Sequence, residues 1–267
     1  MRTREPDEID VLYEDNHLLV VNKPAGLPTM GDADRETLHS LAGAYLKRKF
    51  NKPHGVYVGI VSRLDSMTSG VIVLARTSKA AARLNTQFAD NAKRLNRESA
   101  TRGSSDAPPG APESIRKTYL AIVRPEPYGN APLSPRGRML DNLYKDDAAH
   151  RMRVTALPRD NAKPASLIYQ TLASEPSHAF VAVAPLTGRK HQIRVQFAAR
   201  GWPILGDRKY GSTAVWQSGI ALHSYQLTIE HPTRREPMTF RCPPPESWAS
   251  VETDNLGSPL SELNWNT

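Results

Sequence analysis

Apolar positions come in short clusters separated by polar turns. Residues 10–22, DVLYEDNHLLVVN, place two apolar runs around a turn at Glu14–Asn16, and Leu18–Val21 runs without polar alternation. This predicts two strands, the second of them buried. KPAGLPTMGD follows, and its Pro and Gly spacing predicts a loop. In TLHSLAGAYLKRKF, Leu38, Leu41, Ala42, Tyr45 and Leu46 recur at helical spacing. The β-branched runs VYVGIV (56–61) and GVIVLAR (70–76) predict two strands, joined by VSRLDSMTSG at 61–70. SKAAARLNTQFAD then reads as a helix with Ser78 as N-cap.

Further along, KTYLAIV (117–123) predicts a strand, and PASLIYQTLA (164–173) and AFVAVAPL (179–186) predict a hairpin across SEPSH. GRKHQIRVQFAARG is bounded by glycines and sets Ile193 and Phe197 four apart, the spacing of a helix. GIALHSYQLTIEHP is a further strand region. Residues 96–116, NRESATRGSSDAPPGAPESIR, lack periodicity and are rich in Ser, Pro, Gly and charge, so they predict a mobile loop. The strand at 117–123 needs sheet partners on both sides of that gap. The reading is therefore one domain over 1–248, with the insertion inside it, and a polar tail over 249–267.

Composition narrows the function classes. The 267 residues suffice for a sizeable core, and 39% apolar content with four Trp is ordinary for a globular chain, while 22 Pro imply many loops. The N-terminus has no apolar h-region and no run approaches the ~18 apolar residues of a membrane span, so no membrane partner is expected. A single cysteine, Cys242, excludes an internal disulfide framework and fits a reducing cytoplasm. Lys and Arg total 35 against 27 Asp and Glu, a formal charge of +8 that fits a polyanionic partner.

The eight His form no H-x-x-x-H pair, and neither G-x-x-x-x-G-K-[ST] nor G-x-G-x-x-G nor G-x-S-x-G occurs. Carboxylates and arginines remain. Asp65, with Arg63 before it and Thr68 and Ser69 after, admits two readings: a turn residue bonding nearby amides, or an ionised carboxylate aimed into a cleft from a strand end. Arg194 reads equally as a solvated helix residue, and Tyr119 as a core strand residue.

Six segments together change this balance: NKPAGLP (22–28), RLDSMTSG (63–70), KTY (117–119), GRKHQIR (188–194), GWPILGDRKYG (201–211) and ALHSYQL (221–227). In order and rough spacing they resemble the RluA-type pseudouridine synthases over residues 11 to about 242. The resemblance implies an α+β fold, a mixed, mainly antiparallel central sheet with flanking helices and a basic central cleft. It also implies isomerisation of uridine within tRNA or ribosomal RNA, with no DNA partner, no metal and no cofactor, by a cytoplasmic and monomeric enzyme.

The resemblance also implies roles. Asp65 matches the catalytic Asp, and a lone carboxylate suffices because the detached base stays bound as the acceptor, whereas glycoside hydrolysis uses two. Arg194 matches the arginine that pairs with that Asp, and Tyr119 the tyrosine that stacks on the target base. Arg63 is expected to occupy or brace the space a flipped uridine leaves. Lys23, Lys117, Arg189, Lys190, Arg208 and Lys209 are expected to contact the RNA backbone, and Leu222 to wall the pocket. Three features depart from the family pattern: Ser62 stands where many relatives have His, the 96–116 insertion precedes KTY, and too few residues precede Asp10 for a small N-terminal RNA-binding domain. Two rival readings are an RNA-binding protein of this fold without catalysis and a sugar-acting hydrolase.

Overall fold

A computed structural model describes residues 9–31, 34–100, 115–126, 133–217 and 219–251. Their strands, in chain order, are β1 (Asp10–Glu14), β2 (Leu18–Lys23), β3 (Gly59–Ile60), β4 (Ser69–Ala75), β5 (Arg116–Val123), β6 (Arg136–Asp146), β7 (Arg151–Thr155), β8 (Lys163–Glu175), β9 (His178–Pro185), β10 (Leu222–Glu230) and β11 (Pro237–Arg241). The α-helices are α1 (Leu38–Lys49), α2 (Ser78–Ala100) and α3 (Gln192–Ala198). The class is α+β with mainly antiparallel pairing and flanking helices, as the sequence implied. Among the described residues no helix is long and apolar enough to cross a membrane.

Two units divide the chain. The first contains the described residues up to Asn91, Ile115–Arg116 and Ser224–Pro243. In it β2 pairs antiparallel with β1 and β4, and β11 closes a hairpin on β10. Leu18 and Val20 enter a core with Val71, Val73, Leu84 of α2 and Ile229, while Leu19 and Val21 enter another with Ile72, Leu74 and the α1 residues Leu38, Leu41 and Leu46. Because successive strand side chains point to opposite faces and both faces are covered here, β2 is an unbroken apolar run rather than an alternating one. Thr37 caps α1, its hydroxyl accepting the Ser40 N–H, and Lys47, Arg48 and Lys49 meet the negative end of the helix dipole.

The second unit contains Ala92–Ala100, the described residues of 117–223 and Pro244–Val251. Its strands run in the order β5-β9-β8-β6-β7, each pair antiparallel. Gly137 and Tyr169 face each other across β6 and β8, and a Cβ on Gly137 would fall 2.6 Å from the Tyr169 ring, so glycine is needed beneath it. Tyr169 then meets Phe197 of α3 edge-on at 5.4 Å.

Several boundaries depart from expectation. VYVGIV forms only the two-residue β3, paired with the last two residues of β4. Helix α2 runs on to Ala100, into the stretch read as a loop from residue 96. Its sequence keeps helix-forming Ala, Lys, Arg, Leu and Glu there, and no proline intervenes before Pro108. Of the rest of that insertion, 101–114 lies outside the described residues, as does most of the 249–267 tail, while Ile115 is buried and Arg116 begins β5 rather than belonging to a loop. Helix α3 starts only at Gln192 because His191 takes a left-handed conformation (φ 54°) that a right-handed helix excludes. Strands β6, β7 and β11 had no sequence expectation. In β6 only Met139 and Leu143 are buried among charged neighbours, too sparse a signal for a period-2 pattern.

Candidate active site

In the first unit, two loops hold the backbone around Asp65. Lys23 ends β2 opposite Gly70 and is fully excluded from solvent. Its ammonium donates to the carbonyls of Pro24 (2.8 Å), Leu27 (2.7 Å) and Ser66 (3.1 Å). The Gly26 N–H, presented from a left-handed φ of 90°, adds a second donor to the Ser66 carbonyl at 2.8 Å. On the other side of Asp65, the Thr29 hydroxyl accepts the Leu64 N–H (3.2 Å) and donates to the Leu64 carbonyl (2.9 Å). The Asp65 carbonyl accepts the Thr68 N–H at 3.1 Å, closing the turn. The residues before and after Asp65 are thus fixed to NKPAGLPT, and the half-buried Asp65 side chain projects from a braced turn. At its backbone Asp65 is a turn residue.

Lys23, expected to line an RNA groove, has another task in the structure. Three carbonyl acceptors match its three protons, and the side chain ties the loops instead of meeting solvent. Burial pushes its pKa down to about 7 from 10.5, opposed by the Asp65 carboxylate. Arg63, two residues before Asp65, is exposed. Gly70 after the turn has φ 108°, and a Cβ there would lie 2.3 Å from the Ser224 carbonyl oxygen, so only glycine lets the turn enter β4.

In the second unit, Tyr119 faces Val183, Val183 faces Tyr169, and Tyr169 carries Phe197 of α3. Directly opposed residues share a sheet face, so Tyr119 stands on the face that α3 covers. Lys117, two residues earlier on β5, shares that face, and burial lowers its pKa to about 8. Arg194 lies on α3 and is buried, its Nε donating to Asp207 Oδ2 (2.7 Å) and its Nη2 to Oδ1 (2.9 Å). Its guanidinium is 5.0 Å from the Tyr210 ring centre, and the Tyr210 hydroxyl hydrogen-bonds His191 Nδ1 (2.8 Å) and accepts the Met152 N–H (3.1 Å).

The sequence carries no expectation for Asp207, since GDRKYG stands out there for Arg208 and Lys209. Those two are exposed, whereas Asp207 is 1% exposed. The signal available was its place directly after the apolar PILG. Arg189 is half-buried, its Nε donating to the Pro164 carbonyl at 3.0 Å, Lys190 is exposed, and Leu222 is buried at the start of β10.

Compared with known proteins, the chain matches the family described as RNA pseudouridylate synthase over residues 17–199. It is 32% identical over 236 residues to the dual-specificity RNA pseudouridine synthase RluA of Escherichia coli strain K12, covering 87% of this chain and 92% of that protein. The protein of the same name from Haemophilus influenzae is 31% identical over 246 residues, covering 87% and 91%. The solved structure of human RNA Pseudouridylate Synthase Domain Containing 4 aligns with a TM-score of 0.65 and 25% identity, covering 91% of this chain and 93% of that one.

Proposed function

Because the chain belongs to the RNA pseudouridylate synthase family as an RluA-type member, we propose that it isomerises specific uridines in tRNA or ribosomal RNA, with Asp65 as the catalytic carboxylate and the target base flipped from its stack. The observation that carries the reading is the double bracing of Asp65, by Thr29 at Leu64 and by Lys23 and Gly26 at Ser66. A group that must meet an anomeric carbon at fixed distance needs a backbone held on both sides.

The reaction breaks the N1–C1′ bond and forms C5–C1′, while C5 gives up its proton and N1 gains one. A base inside a duplex or stacked loop is out of reach, so the uridine leaves the stack and Arg63 fills or braces the gap. Asp65 either forms a glycosyl ester at C1′ or removes a ribose proton, and the detached base turns and rejoins through C5. Tyr119 stacks on the base and Leu222 walls the pocket. Arg194 takes the part of the arginine that accompanies the catalytic Asp in the family pattern. Asp207 sets the plane in which that guanidinium is presented. Lys117 and Arg189 assist in holding the RNA, with a cytoplasmic monomer as the working form and RNA rather than DNA as its partner.

The test is Asp65→Ala on RNA from cells lacking the gene. Pseudouridine formation is lost while RNA binding stays within a few-fold of the parent; residual turnover would overturn the assignment. RNA carrying 5-fluorouridine separates an enzyme, which processes it or forms a stable adduct, from a binder, which does neither.

A further inference from the structure

The sheet of the second unit has a second face, and strand register identifies its residues. Met139 and Leu143 of β6 point to the face that α3 covers, so Arg136, Arg138 and Tyr144 point the other way. Across to β7, Tyr144 opposes Arg153 and Asp146 opposes Arg151, which puts two more guanidinium groups on that outward face. Arg159, after β7, lies 4.1 Å from the centre of the Tyr144 ring. Through Ile168 and Ala184 the same face continues to Phe180, where Trp248 covers it edge-on at 5.8 Å. Toward β6 it is open: Arg136 and Arg138 are exposed, and Leu140 between them and Tyr144 is 54% exposed.

We propose that this open β8-β6-β7 face is a second RNA-contact surface, which grips the sugar–phosphate backbone of the substrate RNA away from the target uridine. The proposal rests on RNA being the substrate. Charge sign supports it first: β6 and β7 place Arg136, Arg138, Arg151 and Arg153 here against Asp146 alone, and Arg153 is ion-paired to that Asp. Such a face repels a second copy of itself and attracts a polyanion. Residue type supports it next. All these cations are arginines, whose planar forks match phosphate oxygens two at a time. Spacing supports it as well, because side chains two apart on a strand repeat every ~7 Å and give a regular ladder of donors. Finally, the Arg159–Tyr144 stack beside exposed Leu140 offers flat and apolar surface to an unstacked base or a ribose.

This surface faces away from the side that carries Tyr119, so it contributes affinity rather than chemistry. The test uses full-length RNA that the parent enzyme modifies, and the same RNA trimmed to the stem-loop containing the modified position. With R136Q/R138Q, full-length RNA binds about tenfold more weakly at moderate salt, and the slope of log affinity against log salt becomes shallower by roughly 1 to 2, as expected for two lost phosphate contacts. Turnover at saturating RNA is unchanged, and the trimmed stem-loop binds both proteins alike. Equal binding of full-length RNA by parent and variant overturns the proposal, even if an acidic protein is found on this face. Equal loss on the trimmed stem-loop overturns it too, by placing the arginines at the target. If the double variant unfolds, R159Q, outside the strands, is measured against the same outcomes. A parent enzyme that modifies no cellular RNA refutes the functional reading itself, a result distinct from either.

Discussion

Thr29 and Leu64 are joined twice: one hydroxyl accepts the Leu64 N–H at 3.2 Å and donates to the Leu64 carbonyl at 2.9 Å. A threonine 35 residues away thereby completes the backbone hydrogen bonding of the residue just before Asp65. Thr29→Val keeps the volume and removes both bonds. Each is worth about 1 kcal/mol, and a buried group left unpaired costs about 1–3. The expected result is a Tm lowered by several degrees and a single-turnover rate at saturating RNA reduced about tenfold or more, with Thr29→Ser recovering most of it. A rate equal to the parent's in a folded valine variant would show that Asp65 is held without this clamp.

Lys23 braces the other side. Lys23→Met preserves length and apolar contact but leaves the Pro24 and Leu27 carbonyls without this donor and the Ser66 carbonyl with Gly26 alone. The expected loss in urea denaturation is about 2–4 kcal/mol, from stranded buried acceptors. RNA affinity measured at a temperature where the variant is fully folded should change little, because the side chain is out of solvent. A marked weakening of RNA binding with stability intact would restore Lys23 as a backbone contact.

What the sequence disclosed divides along the same line. Buried strands such as Leu18–Val21 and the helix over 38–49 were legible because continuous or 3.6-periodic apolar positions report burial directly. Asp65 between two such runs reads equally as a turn-former, and only the family resemblance singles it out. The role of Lys23 was not, because a lysine in a Pro- and Gly-rich motif looks like a surface cation until the loop curls its carbonyls around it. Asp207 was hidden for a related reason: a buried carboxylate flanked by Arg208 and Lys209 carries no apolar period, and its partner lies 13 residues upstream on another element. Strand β6 failed for want of apolar residues, since one of its faces is basic and open.

Asp207 fixes Arg194 through a forked pair in which both side chains are almost wholly buried. Removing one partner of such a pair leaves a desolvated charge and costs about 3–5 kcal/mol, so Asp207→Asn and Arg194→Lys should each unfold at clearly lower urea concentration. Lysine cannot supply the two parallel donors. In the Arg194→Lys, Asp207→Asn double variant the second change should add far less than its effect alone, because the charge it would strand is already misplaced. Additive losses would mean that the pair is not the unit.

Asp15 gives the clearest pH dependence. Its Oδ1 accepts the N–H groups of His17 and Leu18, both at 2.7 Å, and its Oδ2 accepts from the Tyr13 hydroxyl (3.0 Å) and His231 Nε2 (2.8 Å). His231 Nδ1 accepts the Arg234 N–H at 3.0 Å, so the ring proton sits on Nε2 and points at Asp15. Burial pushes the Asp15 carboxyl up, but these four donors together hold it down to about 2, against an ordinary 3.8. A carboxyl with a lowered folded pKa binds fewer protons folded than unfolded between those values, so its stabilisation is full above about pH 4 and is lost as pH falls toward 2. Asp15→Asn should therefore be less stable than the parent at pH 5 to 7, with the gap narrowing steadily between pH 4 and 2 in urea titrations. The other carboxylates keep their own acid dependence in both proteins and cancel in the difference. Stability curves that stay parallel across that window would show that Asp15 does not join the β1–β2 turn to the β10–β11 turn by charge.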